Sequence, residues 1–327
     1  MYYPIFRAKQ YELITIRESI QKLKISGKIV PVLEPVKSGK NSLNKMFRCL
    51  NELNNEGLDS IFIVNPQLKQ GDFYKKVNDL SEFIEKLQSE LPHVSYAFWV
   101  GDNTCFQDLK DFINNTKGSF YLFHYAEFNE IEEVLEFLKD KKNFVGHFII
   151  NELSDQQYLV NAQKKRITLK DNFKRYDANE DYRHEDDHYF SNEYSKFTQN
   201  NFDGFSDYLT IGSQYKLGGG TPNTIAIHLT YEAQACIRVK HCLSKNYEVN
   251  QDVNAMIKEA LDELKDFLDE NPQIYEYSNA VHKFMEYRND LENSTNLATL
   301  KKLSMNHHLE LICEVLKGDN DAFKKVS

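Results

Sequence analysis

The sequence predicts an α/β protein, a (β/α)8 TIM-barrel-like domain with additional C-terminal helices. Two observations predict this fold. Apolar runs typical of buried strands recur roughly every 25 to 35 residues, and an amphipathic segment follows each of the first five. Counted along the chain, these runs reach eight, the number of strands that closes a barrel. A doubly wound open α/β sheet is the alternative architecture.

The first unit begins with extended chain at residues 1–8, where Pro4 disfavours a helix. An amphipathic helical pattern follows from Tyr11 to Lys24. The first strong strand is predicted at 28–35, because this run is apolar on both faces, as in a buried parallel strand. The next helix is expected to be capped by Ser42 and to end at Gly57.

The same strand and helix cycle then repeats along the chain. Further strands are predicted at 58–66, 93–102, 118–125 and 143–152, with a weaker one at 165–171. The cycle breaks at 172–202, a polar, aromatic and acidic insertion. A structureless loop of that length is unusual, so the insertion is predicted to be a lid or partly helical.

The last two barrel strands are predicted at 208–212 and 224–231. Residues 236–243 also have a strand pattern, and three placements stay open: a hairpin with the eighth strand, a position outside the barrel, or replacement of an assigned strand. Beyond residue 251 the pattern is helical. We therefore expect a barrel domain over 1–250, and helices over 251–327 that close the barrel and form an appendage available for self-association.

Composition limits the classes of function. The chain of 327 residues carries 40 basic and 49 acidic residues, a formal charge of −9, which argues against a general nucleic-acid-binding surface. Five cysteines without a CxxC pair indicate reduced thiols in the cytoplasm. No apolar run approaches the roughly 18 residues that a membrane span needs.

The segments YYPIFRAKQYELITIRE at the N-terminus and DGFSDYLTIG, AIHLTY and IRVKHCLS further on carry a family resemblance. In these segments the chain resembles an uncharacterised bacterial family described as "beta protein". The resemblance implies a component of a phage-defence or mobile-element module, acting as a sensing or partner-binding barrel beside a co-encoded, nuclease-like partner. It implies no catalytic residue.

An alternative function comes from the ends of the predicted strands. In barrel enzymes, chemistry takes place where the strands end at their carboxyl side. Glu34, His124, Asp171 and His228 are the candidate catalytic set, because carboxylates and imidazoles together perform acid–base chemistry or hold a divalent ion. This set predicts a hydrolase, with phosphoesters as the substrate class considered. No organic cofactor is indicated, and a divalent metal stays open.

Four further residues are candidates for binding. Arg7 and Lys9 precede the first helix, where cations oppose the helix dipole, so they either hold an anion or acidic side chain or are solvated. Asp207 is expected to cap a turn or to pair with a basic residue such as Arg175. His228 interrupts an apolar run, so it is either a functional imidazole or a core histidine bonded to a backbone carbonyl.

Two short motifs are weaker. HEDDH at 184–188 matches the letters H-E-x-x-H of zinc proteases, but its charged surroundings favour an acidic lid over a zinc helix. GGG at 218–220 lacks the lysine and helix of a P-loop and is interpreted as a turn.

Overall fold

The (β/α)8 prediction is confirmed. A computed structural model describes residues 1–73, 80–154, 164–216, 222–245, 252–290 and 296–322. Eight parallel strands close a barrel in the order β1 (Tyr2–Phe6), β2 (Val32–Leu33), β3 (Ser60–Ile63), β4 (Val94–Val100), β5 (Phe120–His124), β6 (Phe144–Ile150), β7 (Lys165–Leu169) and β9 (Gly204–Asp207). Closure is direct, because β9 pairs with β7 on one side and with β1 on the other. The doubly wound alternative is therefore excluded.

Side chains alternate between the barrel interior and the helix layer, as strand geometry requires. The interior is filled by large apolar and aromatic side chains, and the rings of Phe123 and Phe148 stack at 3.8 Å between centroids. The alternate residues face the surrounding helices α1 (Gln10–Ser26), α2 (Lys40–Asn55), α3 (Ser81–Glu90), α4 (Phe106–Asn115), α5 (Ile131–Leu138) and α6 (Asn151–Ser154). The barrel is thus a packed core, and binding space lies at its ends.

Helix boundaries follow the predicted signals in part. Gly27, at φ +59°, ends α1 and donates its N–H to the Leu23 carbonyl at 2.9 Å. Ser42 is not the cap of α2, because this helix begins at Lys40 after Gly39. Residues 74–79 and 155–163, within the amphipathic segments that follow the predicted strands at 58–66 and 143–152, lie outside the described residues.

Two of the eight predicted barrel strands, at 208–212 and 224–231, were wrong. Their places in the barrel are taken by residues 2–6, predicted only as extended chain, which form β1, and by the short segment Gly204–Asp207, which forms the last strand. Residues 209–211 form a 3-10 turn instead of a strand. The predicted eighth strand is β10 (Ala226–Ala233), which lies outside the barrel and pairs antiparallel with β11 (Cys236–Leu243). Its clear alternation is typical of an antiparallel strand with two differently covered faces.

The insertion at 172–202 is structured. It contains a 3-10 turn at Asn179–His184, the strand β8 (Asp187–Ser191) and the short helix α7 (Glu193–Lys196). β8 pairs with β11, so the insertion completes a three-stranded sheet in the order β10-β11-β8. We call this the added sheet.

The C-terminal helices cover the added sheet. α8 (Val253–Glu270) and α10 (Asn279–Asn289) share one apolar core with β10 and β11, and the short α9 (Ile274–Tyr277) joins them. α11 (Leu297–Ala322) packs against both α1 and β10, and so connects the barrel to the added sheet. The predicted domain boundary near residue 250 lies outside the described residues. No described helix combines the length and the apolar character that crossing a bilayer requires.

Candidate functional site

The carboxyl ends of the barrel strands open into a space of about 840 Å³, which we call the mouth cavity. Arg7 and Glu34 line it directly after β1 and β2, and Asn65 lines it two residues after the end of β3. Its aromatic lining comes from Trp99 near the end of β4, with Tyr125 and Tyr208. The cavity therefore occupies the end of the barrel where (β/α)8 proteins bind their ligands.

Glu34 is the hydrogen-bond acceptor that connects three other residues of the mouth cavity lining. It is buried, and its carboxylate accepts hydrogen bonds from the Arg7 guanidinium, from Trp99 Nε1 at 3.0 Å and from the Gln67 N–H at 3.2 Å. Arg7 also donates to the Ser213 carbonyl and lies 4.6 Å from the centre of the Tyr208 ring. Ionic and hydrogen-bonding partners thus hold both groups of this buried pair in place.

Gly101 shapes the wall of the mouth cavity. A Cβ at this position would lie 2.4 Å from the Tyr125 ring, so only glycine allows the ring to pack there. Tyr125 in turn makes an edge-on contact with Trp99, with 6.3 Å between the ring centroids.

A second space of about 470 Å³, the lateral cavity, lies between the start of α1, the insertion, β10 and α11. Five basic residues line it, against the two carboxylates of Glu12 and Asp177; they are Arg7, Lys9, Arg175, Lys216 and Lys301. Phe173, Tyr176 and Tyr182 contribute aromatic rings. Arg7 lines both cavities.

Three imidazoles form a hydrogen-bonded series beside the lateral cavity, which we call the histidine ladder. His228 Nδ1 lies 2.8 Å from His241 Nδ1, and His241 Nε2 lies 2.8 Å from His188 Nδ1. Burial lowers the pKa of all three, and that of His241 to about 3. The ladder is therefore neutral at physiological pH, and His228 is the member that lines the cavity.

The predicted catalytic set does not come together around one cavity. Glu34 lies in the mouth cavity, whereas His228 belongs to the added sheet and lines the lateral cavity. His124 follows the inward-facing Phe123 and therefore faces the helix layer, where its Nε2 lies 2.9 Å from His147 Nδ1. Burial lowers the pKa of both histidines. The prediction of one catalytic set at the strand ends is corrected accordingly.

Asp171, the fourth member of the set, is exposed and positions a loop. Its carboxylate accepts the N–H of Ser213 at 2.9 Å, and the Ser213 carbonyl accepts from Arg7. Asp171 therefore supports the loop that holds Arg7 and lines neither cavity.

The predicted binding residues divide into two groups. Arg7, Lys9 and Arg175 line the lateral cavity. Asp207 does not, because it is buried where it accepts Tyr2 Oη–H at 2.6 Å and the Leu209 N–H at 2.9 Å. The expected turn cap is thus present, whereas Arg175 donates to the Gln214 carbonyl at 3.0 Å and not to Asp207. Burial raises the pKa of Asp207 to about 6.

The HEDDH motif does not form a zinc site. His184 ends a 3-10 turn and His188 lies on β8, so the HEDDH histidines do not share one helix face as a zinc site requires. Across the described ranges, no group of three or more histidine, cysteine or acidic side chains is arranged to hold a metal. GGG at 218–220 lies outside the described residues.

Sequence reasoning missed several residues that line the cavities. Trp99 is the only tryptophan and stands near the carboxyl end of a predicted strand. Because barrel proteins bind their ligands at these ends, the sequence did contain a signal for it. Lys301 gave no such signal, because only the packing of α11 against α1 brings it to the lateral cavity. No protein-family model and no curated protein matches the chain. The evidence for function is therefore the shape and charge of the two cavities.

Proposed function

We propose that the protein is a sensing or partner-binding barrel, with the mouth cavity as its binding face, and not a hydrolase. The observation that carries this proposal is the environment of Glu34. A carboxylate that accepts three hydrogen bonds, one of them from a buried guanidinium, is held as a structural acceptor. A general base needs a reachable lone pair and a substrate proton within hydrogen-bond distance.

The lining of the mouth cavity supports binding of a protein segment. Tyr125 supplies a partly exposed ring, Trp99 and Tyr208 add buried aromatic lining, and Lys69 and Asp108 stand exposed among the lining residues. Aromatic centres with charged rims are typical of protein interfaces, where buried aromatic side chains contribute most of the affinity. The partner would be the co-encoded protein that the family resemblance implies.

Cys105 provides a direct test, because it lines the mouth cavity and is exposed. The full chain is alkylated with N-ethylmaleimide, alone and with the purified product of the adjacent gene, and each cysteine is followed by mass spectrometry. We expect at least about tenfold slower labelling of Cys105 when the partner is ten times above its Kd. Cys236, which is partly exposed at the start of β11, is the internal control. Equal labelling of Cys105 with and without a binding partner would exclude the mouth as the interface.

A substitution at Tyr125 tests the same face by affinity. We expect Tyr125→Ala to weaken partner binding about tenfold or more, because truncating an interfacial tyrosine commonly costs above 1 kcal/mol. Tyr189→Ala is the matched control, since Tyr189 is 51% exposed on β8 and lines neither cavity. Calorimetric titration of both variants decides the point, and equal losses would contradict the proposal.

The proposed setting is a bacterial phage-defence or mobile-element module. Deletion of the gene should abolish protection against phage, and complementation with Tyr125→Ala should restore less protection than wild type does. Unchanged protection after deletion, together with no binding to any neighbouring gene product, would exclude this role. Turnover of a phosphoester such as p-nitrophenyl phosphate, abolished by Glu34→Gln, would instead support the hydrolase.

A further inference from the structure

We propose that the lateral cavity is a second binding site, for a small phosphorylated ligand with a planar ring, of the nucleoside monophosphate class. This site is distinct from the partner-binding mouth. At about 470 Å³, the cavity lies within the range of roughly 300 to 1,000 Å³ that is usual for small-molecule sites.

Unneutralised charge is the first argument. Of the five basic residues, Arg7 is paired with Glu34 and Lys216 with Asp177. Within the described residues, Lys9, Arg175 and Lys301 have no carboxylate within salt-bridge distance. In a chain with a formal charge of −9, a cluster of unpaired cations around a cavity attracts an anion. Desolvation and the neighbouring Lys9 and Arg175 lower the pKa of Lys301, as expected for cations that repel one another.

The start of α1 supplies the phosphate end of the site. Gln10, Tyr11 and Glu12 of its first turn line the cavity, and no side chain caps this 17-residue helix. Uncapped N–H groups and the helix dipole favour a phosphate at this position. Independently, Arg7 is 3% exposed and its Nε has no hydrogen-bond partner. The Glu34 carboxylate and the Ser213 carbonyl engage the two terminal nitrogens of Arg7, so Nε–H is the donor of this cavity-lining residue that is left without an acceptor.

Glu12 is the one carboxylate of this turn, and it is already engaged. It is buried, and its Oε2 accepts the backbone N–H of Arg7. Burial raises the pKa of Glu12, and the neighbouring Lys9 and Arg7 oppose that rise. Glu12 therefore orients the chain ahead of α1, and among the described residues it forms no ion pair with Lys9 or Lys301.

Aromatic side chains and His228 form the part of the site that contacts the planar ring of the ligand. Phe173 and Tyr182 lie 4.9 and 4.7 Å from His228 between ring centroids, and Tyr176 lies 4.9 Å from Tyr182. Such rings stack on planar bases, with about 1–3 kcal/mol per stacked base.

The histidine ladder allows His228 Nε2 to be either a hydrogen-bond donor or an acceptor. Each neutral imidazole carries one proton, and His228 uses Nδ1 to contact His241. If His241 donates to His228, then His228 Nε2 carries a proton and is a donor. If His241 instead donates to His188, then His228 Nε2 is an acceptor. A heterocycle with either polarity at its edge is therefore accommodated without a charged group.

Calorimetric titration of the full chain with the four common 5′-nucleoside monophosphates tests the site. We expect at least one nucleotide to bind. The corresponding nucleoside and inorganic phosphate should each bind about tenfold more weakly or worse, because each makes only part of the contacts. Affinity should fall as NaCl rises, because the phosphate contacts are ionic. Binding by none of the four nucleotides, or phosphate binding as tightly as the best nucleotide, would overturn the proposal.

Variants locate the bound ligand. Lys301→Gln should weaken nucleotide binding about tenfold, a typical value for a charged hydrogen bond, whereas Lys317→Gln, also exposed on α11, should leave it unchanged. Tyr176→Leu should weaken nucleotide but not phosphate binding. A Lys301→Gln variant that binds like wild type overturns the site. So does a nucleotide that protects Cys105 from alkylation, because the ligand would then occupy the mouth cavity.

Discussion

The mouth cavity and the lateral cavity share Arg7 but differ in whether their charged side chains have partners of opposite charge. In the mouth cavity, Glu34 and Arg7 neutralise each other and make further hydrogen bonds. Around the lateral cavity, Lys9, Arg175 and Lys301 have no such carboxylate partner among the described residues. The comparison teaches that charge alone does not mark a functional site. A satisfied ion pair contributes to the fold, whereas unsatisfied charge around a cavity indicates a ligand.

The largest expected effect concerns the shared residue. Arg7→Met should lower the free energy of unfolding by about 3–5 kcal/mol, because it leaves the buried Glu34 carboxylate without its cation. Adding Glu34→Leu should recover part of that loss. Urea unfolding of the single and double variants measures both effects. Arg48→Met, in the exposed pair with Glu52, should cost no more than about 1 kcal/mol. Similar costs for Arg7→Met and Arg48→Met would mean that the mouth pair is not structural.

The second expected effect concerns the histidine ladder beside the lateral cavity, whose lowered pKa values make the free energy of unfolding depend on pH. His241 has a folded pKa of about 3, below the unfolded value near 6.5, so the unfolded chain binds the extra proton between these values. Its contribution to stability is complete above pH 6.5 and is lost as pH falls. His241→Gln should therefore reduce the pH slope of unfolding by up to about 1.4 kcal/mol per pH unit between pH 6 and 4.

Asp207 provides a control of opposite sign. Its folded pKa of about 6 lies above the unfolded value near 3.9, so its contribution is present at low pH and is lost as pH rises towards 6. Asp207→Asn should therefore steepen the fall in stability on acidification, where His241→Gln makes it shallower. Parallel urea series at pH 4, 5 and 6 compare them. Slopes that change in the same direction would contradict these assignments.

A smaller effect is expected in the wall of the mouth. Gly101→Ala should displace the Tyr125 ring, at a cost of about 1 kcal/mol for an unfavourable rotamer. Because Trp99 contacts Tyr125 and is the only tryptophan, its emission spectrum should shift. Nucleotide affinity should stay unchanged if the two cavities are independent. A loss of nucleotide affinity in Gly101→Ala would show that they are coupled.

The smallest effect concerns the ligand-free lateral cavity. Lys301→Gln removes one of several mutually repelling cations, so it should stabilise the free chain by a few tenths of a kcal/mol at low salt. Thermal unfolding at 20 and 300 mM NaCl measures the difference, which should vanish at the higher salt concentration. Destabilisation by Lys301→Gln would mean that Lys301 is needed by the fold.

The barrel was predictable because its central strands are apolar on both faces and return at regular intervals. The segment Gly204–Asp207 was missed, because it is short and its polar residues face buried partners that only the closed barrel provides, such as Tyr2 for Asp207. β10 was wrongly placed in the barrel, because an alternating run does not reveal which sheet it joins.

The candidate sites were predictable only where local sequence determines position. Arg7 and Lys9 were found because cations are unusual ahead of a helix. His124 was misjudged, since in a strand apolar on both faces the pattern does not show which face is the interior. Lys301 was not predictable, because a helix near the other end of the chain brings it beside Lys9.

A structure of the full chain crystallised with the tightest-binding nucleoside monophosphate tests the contrast between the two cavities most directly. We expect the phosphate oxygens about 3 Å from Lys301 Nζ and from the first-turn N–H groups of α1. The base should lie against Tyr176 and His228, with the Arg7–Glu34 pair intact. A phosphate bound in the mouth cavity, with Arg7 turned away from Glu34, would contradict the claim that unsatisfied charge marks the ligand site.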